Sequence, residues 1–242
     1  MADHIVHSYD IELQDLRRSI AEMGGVAEKM HSDAIMALVR RDAPLAQAVI
    51  AADTRVDVLQ REIEENAILL IARRQPLAID LRETISTLRI SGDLERIGDL
   101  AKNNAKRVLA ISSQFQPQKI VLGVQHMSDL VQEQMKNVLD AYAQQDAALA
   151  NDVWLRDDKI DALYTSLFRE LLTYMMEDPR NISFCTHLLF CAKNIERIGD
   201  HTTNIAETIH YLVTGETLSA ERPKDDRTTV SAASTAPASG GM

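Results

Sequence analysis

The feature that most constrains this fold is an internal repeat. The segment Glu-Arg-Ile-Gly-Asp occurs at residues 95–99 and again at residues 196–200. Each copy follows a pair of aspartates that are four residues apart: first Asp53 and Asp57, then Asp157 and Asp161. The aspartate pair recurs at an offset of 104 residues and the motif at 101, and such self-similarity indicates that the chain contains two copies of one structural unit.

Both copies show the periodicity of α-helices. Each contains three stretches in which apolar residues recur at helical spacing. Pro76 and Pro179 occupy matched positions between the second and third stretch of each copy, where a helix would end. Glycine and proline are scarce, with 9 and 6 residues, and aromatic residues make up only 4% of the chain. This composition is typical of a helical protein with a core of Leu, Ile, Ala and Met.

We therefore predict an all-α fold of two tandem, pseudo-repeated three-helix bundles, with six long helices that run antiparallel to their neighbours. The first bundle is predicted over residues 8–117 and the second over residues 118–214. Residues 215–242 are rich in Ser, Thr, Ala and Gly and show no apolar period. That composition predicts a disordered C-terminal tail.

Charge and cysteine content narrow the class of protein. The formal net charge is −10 and no cluster of Lys or Arg stands out, so direct binding of nucleic acid is not expected. The N-terminus does not have the pattern of a signal peptide, and no apolar run is long enough to span a bilayer. Cys185 and Cys191 lie about 9 Å apart along one predicted helix, too far to form a disulfide with each other. These features predict a cytoplasmic protein with two free core cysteines.

The acidic residues fall at matched heights on each predicted helical hairpin. Asp57 lies 19 residues before Pro76 and Glu95 lies 19 after it, while Asp53 and Asp99 lie 23 residues before and after it. In an antiparallel hairpin these four residues are level with one another. The second copy repeats this arrangement to within a residue or two. If the two helix flanks face each other, four carboxylates converge in each half.

Converging carboxylates repel one another unless protons or cations neutralise them. Oxygen ligands of this kind suit hard cations such as Mg, Mn, Ca or Fe, with Zn as a further candidate. Asn103, Asn204 and His201, about one turn farther along, would add further donors. The candidate metal ligands are Asp53, Asp57, Glu95, Asp99, Asp157, Asp161, Glu196 and Asp200. The competing interpretation is that these acids are solvated and form surface ion pairs with Arg96 and Arg197.

Taken together, the doubled motif and the upstream aspartate pairs closely resemble the PhoU family, over residues 8 to about 214. That family comprises accessory regulators of the phosphate-specific transport system. The resemblance implies an adaptor without enzymatic activity that represses the phosphate-starvation response when phosphate is plentiful. Its implied partners are the ATPase subunit of a phosphate ABC transporter and a sensor histidine kinase. The resemblance also implies a homodimer and the eight acids above as candidate ligands of iron or zinc clusters, which some family members lack.

Two other classes stay open at this point. One is a helical scaffold that binds no metal and acts through helix-face contacts with another partner. The other is a carboxylate-bridged di-iron protein, a class that normally uses Glu-x-x-His motifs inside a helical bundle. Neither Glu-Arg-Ile-Gly-Asp segment has a histidine three residues after its glutamate, which argues against the di-iron class.

Overall fold

The computed structural model of the chain describes residues 2–111 and 118–218, with side chains described over 11–111 and 119–218. Within these residues the secondary structure is entirely helical. A short 3-10 turn, Pro179–Asn181, precedes the last helix. The α-helices are α1 (Ala2–Arg40), α2 (Ala43–Arg74), α3 (Ile79–Ile111), α4 (Gln118–Gln144), α5 (Ala147–Leu155), α6 (Asp157–Glu177) and α7 (Ile182–Thr214).

The predicted all-α tandem arrangement is confirmed, with one difference in the second repeat. The fifth predicted helix is interrupted at Arg156, whose φ of −93° and ψ of 0° leave the helical region, and so forms α5 and α6. Asp157 and Asp158 then occupy the first turn of α6. Acidic side chains are favourable at a helix N-terminus, so these two aspartates favour the start of a new helix at residue 157.

Two matched aspartates begin corresponding helices in the two repeats. Asp42 caps α2 and its carboxylate accepts a hydrogen bond from the amide of Leu45 at 2.9 Å. Asp146 caps α5 and accepts from the amides of Ala148 and Leu149 at 2.8 and 3.1 Å. Caps of this kind satisfy amides that have no partner inside the helix. The two repeats thus share helix-capping residues as well as the spacing of their apolar residues.

The helices pack as two hairpin-containing units that meet along α3 and α7. Helices α1, α2 and α3 pack on one another, α7 packs on α4, α5 and α6, and α1 also contacts α4. A single apolar cluster runs through both halves. Its largest fully buried side chains include Phe184, Ile20, Met23, Met30 and Leu38.

The glycine of each repeated motif lies where two helices approach closely. A β-carbon added at Gly98 would lie 3.3 Å from the side chain of Val56, and one at Gly199 would lie 3.1 Å from that of Ile160. Such contacts are tight for an added methyl group. The glycines therefore allow α2 to approach α3, and α6 to approach α7, beside the acidic residues.

Cys185 and Cys191 are free and buried, as predicted. Helix α7 ends at Thr214 and is capped by Gly215, whose φ of 81° is the left-handed conformation that glycine adopts readily. The predicted disordered tail lies almost wholly outside the described residues, which end at Leu218. Over the part of the chain that the structure covers, no helix is both long and apolar enough to cross a membrane.

Candidate carboxylate site at the repeated motifs

The first acidic cluster is organised around a lysine. Lys102 lies on α3, three residues after Asp99, and its Nζ contacts Asp99 Oδ1 at 2.6 Å. The same ammonium group contacts Asp53 Oδ2 on α2, also at 2.6 Å. Burial opposes protonation of this lysine, but its hydrogen bonds to Asp53 and Asp99 outweigh that effect and raise its pKa. The lysine thus joins the two facing helices through opposite charges.

The carboxyl group of Glu95 is influenced electrostatically by the other three acids of this cluster. Burial raises the pKa of the Glu95 carboxyl, and the negative charges of Asp99, Asp57 and Asp53 raise it further. The guanidinium of Arg96 acts in the opposite direction, from a distance of 3.6 Å and from a largely exposed position. The structure therefore brings the four predicted acids of the first half into one electrostatic group, with Asp57 at its exposed rim.

The second cluster centres on a more deeply buried glutamate. Glu196 is 6% exposed, and its Oε1 accepts a hydrogen bond from Lys193 Nζ at 2.7 Å. Its other oxygen, Oε2, is buried and has no hydrogen-bond partner among the residues that the structure describes. Burial raises the pKa of this carboxyl, and the charges of Asp200 and Asp161 add to the rise, while Lys193 opposes it.

Two of the other acids of the second half lie near the start of α6, and the third, Asp200, lies on α7. Asp157 and Asp161 are 2% and 3% exposed, so the break at Arg156 places a buried acidic pair at a helix N-terminus, where it is favourable. Thr203 Oγ1 on α7 lies 3.1 Å from Asp157 Oδ1 and donates to it. The four acids of the second half thus lie on the two neighbouring helices α6 and α7.

Two of the three further donors suggested by the sequence contact the other repeat. Nδ1 of His201 lies 2.8 Å from Asp93 Oδ1 on α3, and Nδ2 of Asn204 donates to the same oxygen at 3.4 Å. The expectation that they extend the second cluster is therefore wrong, because both face the other repeat. Asn103 is exposed.

Neither lysine is among the residues predicted from the sequence. Lys102 follows Asp99 by three residues and Lys193 precedes Glu196 by three, a spacing that places side chains on the same face of a helix. That spacing would have identified both. Each cluster therefore already contains a positively charged side chain, Lys102 in the first and Lys193 in the second.

The arrangement of these acids decides which of them are available to a metal ion. Among the residues described, no three side chains of His, Cys, Asp or Glu are arranged to hold a metal ion. In the first half the ammonium group of Lys102 lies between Asp53 and Asp99, so the acids there fit a lysine better than a metal ion. In the second half the unpartnered oxygen of Glu196 is a buried acceptor that a cation would satisfy. The eight predicted ligands stay a prediction.

The fold and these sites define a class of protein: a helical tandem repeat in which each repeat carries a carboxylate cluster between two helices. Comparison with known proteins then identifies the family. The PhoU domain matches residues 20–108 and 124–209. A phosphate-specific transport system accessory protein PhoU homolog of Rhizobium meliloti (strain 1021) is 58% identical, and the alignment covers 93% of this chain and 95% of the relative. The corresponding protein of Caulobacter vibrioides (strain NA1000 / CB15N) is 53% identical, with coverage of 93% and 98%.

Solved structures show the same architecture. PhoU from Pseudomonas aeruginosa matches with a TM-score of 0.83 at 41% identity, covering 86% of this chain and 100% of that one. The phosphate transport system regulatory protein PhoU from Streptococcus pneumoniae matches with a TM-score of 0.81 at 30% identity, covering 88% and 100%. The chain belongs to the PhoU family, and the predicted family membership is confirmed.

Proposed function

We propose that this protein is a regulator of phosphate uptake and of the phosphate-starvation response, and that it acts without catalysing a reaction. The observation that carries this proposal is the match of the PhoU domain to both halves, together with relatives named as accessory proteins of the phosphate-specific transport system. High identity over nearly the whole chain supports a shared role. The acids of the two repeats would then serve structure and regulation instead of substrate turnover.

In this proposal the protein is a cytoplasmic adaptor that acts as a homodimer. It links the ATPase subunit of a phosphate ABC transporter to a sensor histidine kinase and represses signalling when phosphate is plentiful. The family resemblance supports both partners. Because the protein reaches the membrane only through them, its own association is peripheral.

Deletion of the gene tests the regulatory proposal directly. A phosphate-starvation reporter should give high output in phosphate-rich medium after deletion, because repression is lost. Reintroducing the gene should restore low output. An unchanged reporter in the deletion strain would contradict the proposal.

The adaptor proposal has its own test. The full chain, fused to an affinity tag, should recover both the transporter ATPase subunit and the kinase from crosslinked cells grown with ample phosphate. Recovery of other partners alone would favour a metal-free scaffold with a different role. Light scattering of the purified protein checks the dimer, and a monomer at all concentrations would contradict that part.

A second candidate role is cation binding, and one observation favours it in the second half. Within the described part of the chain, the buried Glu196 leaves Oε2 without a partner beside the charges of Asp200 and Asp161. Leaving a buried acceptor unsatisfied is costly. We propose that Asp157, Asp161, Glu196 and Asp200 hold Mg, Mn, Fe or Zn. The positive charge of the bound metal ion would offset the negative charges of these four acids. Elemental analysis of the purified protein tests this, and oxygen consumption with added Fe(II) would favour the di-iron class. Protein that stays free of all four metals when supplied with each would contradict it.

A further inference from the structure

Two stretches of this acidic chain contain no acidic residue, and the fold brings them together. The chain has 36 Asp and Glu residues against 26 Lys and Arg, yet residues 100–128 and 179–195 contain neither Asp nor Glu. The first stretch includes the C-terminal part of α3 and the second includes the N-terminal part of α7. Asn194 on α7 donates a hydrogen bond to Asn104 on α3 at 2.9 Å, so these parts of the two helices lie side by side.

The side chains of Arg107 and Phe190 meet between these two parts of the helices. The guanidinium carbon of Arg107 lies 4.1 Å from the ring centre of Phe190, a distance at which the positive charge is attracted to the ring. Phe190 is 49% exposed and Arg107 is partly exposed. The two side chains therefore form a surface with a cation beside an aromatic ring, the Arg107–Phe190 surface.

The charge of Arg107 is not offset by a carboxylate of the described chain. Arg107 forms no hydrogen bond or ion pair with any residue that the structure describes, and its Nε is buried without a partner there. By contrast, Arg74 forms an ion pair with Glu12 at 2.8 Å. Burial lowers the pKa of the neighbouring His187, and the positive charge of Arg107 lowers it further. An arginine without an acid is thus exposed in a chain with a formal net charge of −10.

We propose that the Arg107–Phe190 surface docks an acidic segment of a protein partner. A carboxylate of that segment pairs with the guanidinium of Arg107, and an adjacent apolar side chain packs on the ring of Phe190. Arginine and aromatic residues are enriched at the centres of protein interfaces and contribute much of their binding energy. The inference rests on the proposed adaptor role, and it assigns the surface to the transporter ATPase subunit or to the sensor kinase.

The chemistry of the surface favours a protein segment over other anions. A free inorganic anion would use the guanidinium of Arg107 alone and would leave the exposed ring of Phe190 without a contact. Nucleic acid would be repelled by the net charge of −10 that the rest of the chain creates. A segment with an acid beside an apolar residue uses both the cation and the ring.

Binding of the full-length chain to each purified partner tests the inference. Calorimetry measures the Kd for the transporter ATPase subunit and for the sensor kinase in nanodiscs, at low and at high salt. Arg107→Gln and Phe190→Ala should each weaken binding to one of these partners by about tenfold, because they remove the counter-charge and the apolar contact. High salt should weaken binding of the wild type more than binding of Arg107→Gln, since salt screens the charge pair.

Matched variants separate this surface from general effects of charge and folding. Arg61→Gln and Ile68→Ala change an exposed arginine and an exposed apolar residue on α2, and both should keep the wild-type Kd. Arg107→Lys keeps the charge without the planar fork of the guanidinium and should lose part of the affinity. Circular dichroism checks folding, and the arginine variants carry the test if Phe190→Ala does not fold.

The outcomes separate this inference from the adaptor role on which it rests. Binding by the wild type with the same Kd in a folded Arg107→Gln variant would overturn the docking surface and leave the adaptor role standing. Failure of the wild type to bind either partner would overturn both. Binding of the wild type to phosphatidylglycerol vesicles, lost in Arg107→Gln, would assign the surface to the membrane and overturn its assignment to a protein segment.

Crosslinking at residue 190 and a charge exchange supply a readout that a merely structural role would not change. With the photoreactive residue benzoylphenylalanine in place of Phe190, light should crosslink the chain to an Asp- or Glu-containing peptide of the ATPase subunit or the kinase. Arg107→Glu should then abolish binding, and reversing the charge of the acid in that peptide should restore it. Crosslinks to peptides without acids, or no restoration by the paired exchange, would contradict the inference.

Discussion

At the scale of single residues, charge placement separates what sequence can predict from what it cannot. The acids of the two motifs follow from the repeat, since carboxylates four residues apart in a helix share a face. Lys102 is different. Its spacing from Asp99 is visible in the sequence, but its contact with Asp53 on another helix depends on packing that no local pattern specifies.

His31 provides a residue-scale prediction about pH. It is fully buried between α1 and α4, its Nε2 lies 3.0 Å from Ser128 Oγ, and burial lowers its pKa to about 4. As the pH falls, a histidine whose pKa is lowered by folding becomes protonated in the unfolded chain at a higher pH than in the folded protein. The contribution of neutral His31 to the unfolding free energy is therefore fully present above pH 6.5, the approximate pKa in the unfolded chain. It is lost as the pH falls from there towards 4.

We expect His31 to cost the protein about 2 kcal/mol of unfolding free energy between pH 7 and pH 5. His31→Gln keeps a polar group near Ser128 but does not titrate, so this variant should show a smaller loss over the same interval. Urea unfolding of both proteins at the two pH values measures the difference. Parallel pH dependence in the two proteins would contradict the burial argument.

At the scale of helices, apolar periodicity and the matched prolines were enough to predict six helices and their order. The break at Arg156 was missed because apolar spacing continues across it, from Val153 to Ile160. What distinguishes the site is the pair of aspartates that follows, which favours a new helix N-terminus. This helix-start signal can be seen in the sequence, but Asp157, one of the two aspartates, had already been interpreted as part of the acidic cluster.

The glycines of the helices provide a prediction at this scale. Gly25 lies inside α1, is exposed, and has nothing within 4 Å of an added β-carbon. Gly25→Ala should therefore raise the unfolding free energy by up to about 1 kcal/mol through helix propensity alone. Gly199→Ala is the matched comparison, because its β-carbon would lie 3.1 Å from Ile160.

Chemical denaturation of the two alanine variants measures the contrast. The gain at residue 199 should be smaller than at residue 25, or reversed, since the side chain of Ile160 must move. A larger gain for Gly199→Ala than for Gly25→Ala would show that close approach does not explain the motif glycine.

At the scale of the whole molecule, polar contacts join the two repeats across α3 and α7. Asp93 on α3 accepts from His201 and Asn204 on α7, and Asn194 on α7 donates to Asn104 on α3 at 2.9 Å. The sequence predicted two similar bundles, but not which helices would meet. That choice depends on long-range packing of polar residues that interrupt otherwise apolar faces.

Removing the Asp93 contact should weaken the joint between the repeats. Asp93→Ala takes away the acceptor shared by two partly buried side chains, and we expect a loss of about 1 kcal/mol in unfolding free energy. Asp140→Ala, at an exposed position on α4, should change it by less than about 0.5 kcal/mol. Equal effects in the two variants would indicate that the contact does not stabilise the joint.

The repeated carboxylates are central to the proposed function, and one measurement tests their role most directly. Starvation-reporter output is recorded in phosphate-rich medium in the deletion strain carrying either the wild-type gene or a variant with alanine at Glu95, Asp99, Glu196 and Asp200. We predict low output with the wild type and high output with the variant, at equal amounts of folded protein. Full repression by the variant would contradict a regulatory role for these acids.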